Sequence, residues 1–171
     1  LRATTSDILN AGKLTLKAKA GVYIWDHLRG VSENKALIIN ADFDSSGSSG
    51  TLTIATTKIL TSNDSDVTIT AFDLDLAGGI TTGTKALTIH GAEVDQTFGL
   101  GETSRDMQIS DAEFGRLTSD SGFRLGSSTS GSIVIDGITD ANTQYIKETG
   151  EGVVLQATKS SMTVIFDSNP S

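Results

Sequence analysis

Apolar residues recur along this chain in short triplets of apolar, variable, apolar, each followed by something small or polar. Leu14-Thr15-Leu16, Leu37-Ile38-Ile39, Leu52-Thr53-Ile54 and Val67-Thr68-Ile69 open the series. Leu87-Thr88-Ile89, Met107-Gln108-Ile109, Phe123-Arg124-Leu125, Ile133-Val134-Ile135, Val153-Val154-Leu155 and Val164-Ile165-Phe166 continue it. Alternation at period two marks a strand with one buried face. Clusters such as Ser45-Ser46-Gly47-Ser48-Ser49-Gly50, Ser62-Asn63-Asp64-Ser65 and Gly78-Gly79 end the runs, as turn residues do. Further short apolar strands fall between the triplets, at Tyr23-Ile24-Trp25, Lys58-Ile59-Leu60, Phe72 to Leu76 and Phe98 to Leu100.

Val67, Leu87 and Met107 lie 20 residues apart in turn, and Ile133 and Val153 repeat that interval. Several short strands per period of this size predict an all-β chain wound as a β-solenoid with coils of about 20 residues. Leu14, Leu16, Leu52, Ile54, Val67, Ile69, Leu87, Ile89, Ile109, Ile133, Ile135, Val153 and Leu155 are then the stacked core. About eight coils at ~4.8 Å each would make a stack roughly 40 Å long. The rival is an antiparallel β-sandwich, whose strands are longer and whose turns recur every 8–12 residues without a repeating register. Residues 1–171 read as one solenoid segment of a longer repeat protein, with 27–34 and 44–50 as insertions or loops between coils. Ser110 to Leu117 is the one stretch predicted to make a helical turn.

Composition fits a thin aliphatic core. The chain has one Trp, two Tyr and six Phe among 171 residues, fewer large side chains than a spherical core uses. The net charge of −8 argues against nucleic acid, which needs a basic stripe, and against docking on anionic lipid. The absence of cysteine removes disulfides and thiolate metal sites. No run approaches the ~20 apolar residues of a membrane span, so no membrane insertion is expected. The chain starts at Leu1 and ends on Asn169-Pro170-Ser171, which reads as a piece cut from a longer polypeptide. Ile8 to Leu16 and Val164 to Phe166 are apolar. Both are expected to continue, end to end, into further coils of the same chain or into another subunit.

The run Ala71-Phe72-Asp73-Leu74-Asp75-Leu76-Ala77-Gly78-Gly79-Ile80, with Thr81 to Thr84, resembles the repeats of filamentous-haemagglutinin-like surface proteins. So do Thr97-Phe98-Gly99-Leu100-Gly101, Ile109 to Leu117, and Phe123-Arg124-Leu125-Gly126 leading to Ile133-Val134-Ile135-Asp136-Gly137-Ile138. The resemblance covers residues 67 to 166 well and 1 to 66 loosely. Its members are very long bacterial adhesins and exoproteins, and similar arrays occur in giant extracellular proteins of some algae. The resemblance implies a right-handed parallel β-helix, an extracellular or cell-surface location, a structural or adhesive role and no catalytic residues.

Candidate chemistry is sparse. Parallel β-helices also carry polysaccharide-active enzymes, which need clustered carboxylates on neighbouring coils. No adjacent Asp-Asp pair occurs, and His90-Gly91 lacks companion motifs. No cofactor is expected, apart from a weak case for Ca2+ at Asp42 and Asp44, or at Asp64 and Asp66, as oxygen ligands. Solvated turns are the plainer reading. Thr15, Thr53, Thr68, Thr88 and Thr163 would face outward, and a regular threonine array is what ice-binding solenoids use, but Ile38, Gln108, Arg124 and Val134 interrupt it. Asn63-Asp64-Ser65 is an N-glycosylation sequon, and the Ser45 to Thr51 and Ser127 to Ser130 turns could carry O-glycans. Tyr23 and Trp25, followed by His27 and Arg29, form a candidate ligand or subunit contact, with the aromatic pair expected in the core or at an interface. The expected function is a structural module of an extracellular rod, fibre or filament. The alternatives are an adhesin stalk binding glycans or cell surfaces and, less favoured, a polysaccharide-active enzyme.

Overall fold

A computed structural model describes residues 7–147 and 149–167. Among them are eighteen short strands and two four-residue helical turns, so the chain is all-β. The chain ends at Leu1 and at Asn169-Pro170-Ser171 lie outside the described residues. The strands form in rounds. The first round is β1 (Ile8–Asn10), β2 (Leu14–Lys17) and β3 (Val22–Ile24). The second is β4 (Leu28–Gly30), β5 (Leu37–Asn40) and β6 (Thr51–Ile54). The third is β7 (Ile59–Thr61), β8 (Val67–Ala71) and β9 (Asp73–Leu76). The fourth is β10 (Gly79–Thr81), β11 (Leu87–Gly91), β12 (Phe98–Gly101) and β13 (Met107–Ile109), followed by α1 (Asp111–Phe114). The fifth is β14 (Leu117–Thr118), β15 (Phe123–Ser127) and β16 (Ile133–Asp136), followed by α2 (Asp140–Thr143). The last strands are β17 (Val153–Ala157) and β18 (Val164–Phe166).

Most strands pair in parallel with their counterpart in the next round, but β9 has no such partner and β13 pairs with β12 of its own round. One sheet runs β1-β4-β7-β10-β14 and a second runs β2-β5-β8-β11-β15-β17. On the third side β3-β6-β9 forms one sheet and β13-β12-β16-β18 another. The antiparallel sandwich is therefore not the arrangement: every strand pairing among the described residues is parallel.

Inward residues stack like on like. The columns Leu14, Leu37, Val67, Leu87, Phe123, Val153 and Leu16, Ile39, Ile69, Ile89, Leu125, Leu155 run through the longest sheet. Their middle members are essentially inaccessible, and burying an aliphatic side chain stabilises by about 1.5–3 kcal/mol. The core assigned from the triplets faces inward, but it divides among three sides. Leu52 and Ile54 stack on Val22 and Ile24, while Ile109, Ile133 and Ile135 belong to the sheet of β12.

Three expectations need correction. First, the even 20-residue interval holds between Val67 and Leu87 but fails at the next step, where Leu87 pairs with Phe123 and Met107 pairs with Phe98. The cause is local: Phe98-Gly99-Leu100-Gly101 has two residues without a Cβ, and the carbonyls of Thr103 and Asp136 occupy the space that side chains at Gly99 and Gly101 would need. The chain therefore doubles back over β12 and inserts β13 beside it. Second, the longest sheet has six strands rather than eight, about 24 Å at ~4.8 Å per strand. Third, residues 27–34 are not simply an inserted loop, because Leu28 is buried and β4 lies between β1 and β7. Its second inward position is Gly30, which closely approaches the Ser62 carbonyl, so no apolar triplet marks it. Residues 44–50 do lie outside the strands.

The corner after the first sheet carries a buried hydroxyl in three successive rounds. Ser62 Oγ donates to the Ser65 carbonyl at 2.5 Å, Thr82 Oγ1 to the Lys85 carbonyl at 2.5 Å, and Ser119 Oγ to the Gly122 carbonyl at 2.7 Å. All three residues are buried. The hydroxyls close the turn and leave its buried carbonyls satisfied, as burial requires.

Candidate functional site

The strongest surface feature lies on the outward side of β3, β6 and β9. Alternation along β3 buries Ile24 and turns Tyr23 outward, and Trp25 follows it. The two rings stack with centroids 4.3 Å apart and planes inclined by 19°. Tyr23 is 42% exposed and Trp25 53% exposed, so the pair is not in the core. Parallel register carries the outward row from Tyr23 to Thr53 and Asp75. Together with Ala55 and Lys58, these residues line a groove of about 350 Å³. The Lys58 ammonium sits 3.5 Å from the Asp26 carboxylate. An aromatic wall beside a hydroxyl, a carboxylate and an ammonium can stack on an apolar ring face and hydrogen-bond its polar edge.

His27 and Arg29 do not join this pair. His27 Nδ1 accepts the Ile59 amide at 3.1 Å, and Arg29 forms an ion pair with Asp7. Both tie strands of another sheet together, so the four-residue constellation reduces to Tyr23 and Trp25. Nothing in the sequence separated the two jobs, because neither partner is near in the chain.

The other assigned residues are mostly internal fittings. His90 lies within 3.3 Å of Thr70, its neighbour in the ladder. Asp64 Oδ1 accepts the Thr84 amide at 2.6 Å, and Asp66 Oδ1 accepts the Ala86 amide at 3.3 Å. The Thr84 amide and then its side chain hold the Asp64 carboxyl below its ordinary range. Asn63 is half-buried at positive φ in the same turn, and Ser65, the third residue of its sequon, is buried and accepts the Lys35 amide at 2.8 Å. Thr15, Thr68 and Thr88 share one outward row with Ile38 and Arg124, whereas Thr53 lies in another sheet and Thr163 outside the strands. No family model, curated protein or solved structure matches the chain.

The final round supplies the second feature. Val153 and Phe166 continue the inward columns of β15 and β16, yet they are 51% and 75% exposed. Val164 and Ile165 are exposed beside them. A cavity of about 580 Å³, lined by Ile146, Gly150, Gly152 and Val153 among others, opens at the same end. Asp42 is the third feature: it is buried rather than solvated, with Asp44 at the start of the exposed Ser45 to Ser49 loop.

Proposed function

We propose that this chain is a segment of a right-handed parallel β-helix whose work is structural, as a module of an extracellular rod or filament extended by stacking further rounds. The observation that carries this reading is the exposure of Val153, Val164 and Phe166, residues on inward columns with nothing stacked above them among the described residues. An open edge of this kind presents unpaired N–H and C=O groups and an apolar surface together. A further round, from the same polypeptide or another copy, would cover both. Right-handedness follows the general rule for parallel crossovers, and the filamentous-haemagglutinin-like repeats are the family resemblance in view. On this reading the chain is not an enzyme and needs no cofactor.

The test is self-association of the 171-residue chain by analytical ultracentrifugation. Concentration-dependent association is expected for the wild type, and a Val153→Asp/Phe166→Asp variant should sediment as a monomer with an unchanged circular dichroism spectrum. A wild-type chain that stays monomeric up to its solubility limit would sink the proposal.

A second reading, an adhesin stalk that binds glycans, is favoured specifically by the exposed Tyr23–Trp25 stack and its polar groove. A glycan array probed with wild type and Trp25→Ala decides it: binding by the wild type that the variant loses supports recognition, and silence from both removes it.

A further inference from the structure

The outward face of the third side is stepped. Tyr23 and Trp25 stand tall on and just after β3, while the neighbouring strand offers only Thr51 and Thr53, then Ala55. Asp75 rises from β9 beyond them, in register with Thr53 and Tyr23. The step leaves two hollows, of about 350 Å³ and about 190 Å³, and Tyr23 and Thr53 line both. The larger is bordered by Trp25 and Lys58, the smaller by Ala20 and Gly21, so they follow one another along the strand. Gly21 sits at φ 121°, and a Cβ there would lie 2.8 Å from the Thr51 carbonyl oxygen. A side chain is thus barred from that end. The result is one trough along the strands, longer than it is wide, which suits an elongated ligand.

The trough is mixed in chemistry and anionic in balance. The Lys58 ammonium is offset by Asp26 at 3.5 Å, which leaves the exposed Asp75 carboxylate as surplus negative charge in a chain of net charge −8. An anionic ligand would meet like charge there. A peptide fits less well, for two reasons. β6 is flanked by β3 and β9, so the floor has no open edge for strand addition. The two rings are already in contact, with centroids 4.3 Å apart, which leaves no slot between them for a proline. The ligand that matches has apolar C–H surface for the aromatic wall and many hydroxyls for Thr53, Asp75 and Lys58.

We propose that this trough binds a neutral oligosaccharide lying along the strands and spanning both hollows, and that Asp75 excludes acidic glycans from it. This inference rests on the glycan-recognition reading of the Tyr23–Trp25 pair and narrows it by the charge and length of the ligand.

Trp25 is the only tryptophan of the chain, so its fluorescence reports on this trough alone. The experiment titrates the full 171-residue chain with neutral tetrasaccharides of glucose, galactose and mannose, with the matching tetrasaccharides of their uronic acids, and with the free monosaccharides. At least one neutral tetrasaccharide should change the fluorescence saturably. Its uronic-acid counterpart and its monosaccharide should each bind about tenfold more weakly or worse. Thr53→Tyr fills the waist between the hollows, and Trp25→Ala, followed by calorimetry, removes half of the aromatic wall. Each should weaken binding by about tenfold or more with an unchanged circular dichroism spectrum. Asp75→Asn should bring the uronic-acid counterpart close to the neutral sugar at low salt, where charge repulsion is least screened. Glu33→Gln, at an exposed position away from the trough, should leave binding intact. Acidic tetrasaccharides that bind the wild type as well as neutral ones, or monosaccharides that bind as well as tetrasaccharides, overturn this inference and leave glycan recognition standing. Silence from every sugar up to its solubility limit overturns both.

Discussion

Asp111 and Asp73 show the same side chain set to opposite uses. Asp111 Oδ1 accepts the Thr139 amide and its Oδ2 accepts Asn142 Nδ2, both at 2.8 Å, so one carboxylate clasps α1 to the segment that begins α2. The Thr139 amide, opposed by slight burial and aided by Asn142, holds its pKa below the ordinary 3.8. A depressed carboxyl contributes stability above its unfolded value, and that contribution fades as pH falls through the folded one. Asp111→Ala is therefore expected to lose ~1 kcal/mol at neutral pH, a modest figure for a solvent-facing charged acceptor. The gap from wild type should narrow below pH 3.8, as measured by urea denaturation at both pH values. Asp73 runs the other way: burial first, then the charges of Glu113 and Asp75, raise its pKa against the amides of Leu74 and Gln108. Its native form favours the proton, so its contribution to stability falls as pH rises from 3.8 through the raised value. Asp73→Asn keeps the oxygen that accepts the Gln108 amide, and it should leave the protein as stable as the wild type at neutral pH, or slightly more so.

The α1 turn replaces a strand. Its Ser110 N-cap and Glu113 form a capping box, a pattern readable from Ser-Asp-Ala-Glu alone. The sequence did not reveal what the turn covers. Glu113 Oε1 accepts the Leu76 amide at 2.9 Å, and Arg116 donates to the Leu76 carbonyl at 2.7 Å. Two side chains thus satisfy β9 at the point where a ladder partner is missing. Glu113→Ala removes a cap and leaves that amide without an acceptor. It should cost about 2 kcal/mol and speed hydrogen exchange at Leu76 well beyond the change at Leu52 in the next strand. Period-two alternation gave most of the strands and their inward faces, because most inward positions are filled by an aliphatic or aromatic side chain; β4, with Gly30 at an inward position, escaped it. Register was less legible. Met107 lies at the same interval from Leu87 as Leu87 does from Val67, and only the glycines at 99 and 101 tell that the chain folds back there. The candidate sites were half legible: Tyr23 and Trp25 stand out by rarity, whereas the ties made by His27 and Arg29 depend on partners in other elements.

Across the whole molecule, stability should grade from the middle of the stack toward its ends. Each round buries its apolar face only against its neighbours. Val67, Leu87 and Phe123 are almost inaccessible, Leu14 is half-buried and Val153 is exposed. Hydrogen exchange is expected to be slowest in β8 and β11 and fastest in β2 and β17, spanning much of the global stability; uniform protection would argue for one indivisible cooperative unit. The break between β9 and β13 then acquires a mechanical meaning. Hydrogen bonds between rounds point along the direction in which the rounds stack, so a pull in that direction strains successive interfaces in series. On two sides the force crosses unbroken ladders. On the third it must pass through single side chains, Asp73 to the Gln108 amide and Glu113 and Arg116 to Leu76. Tension should open the molecule there first, giving a defined rupture point in single-molecule pulling while the rounds on either side remain folded.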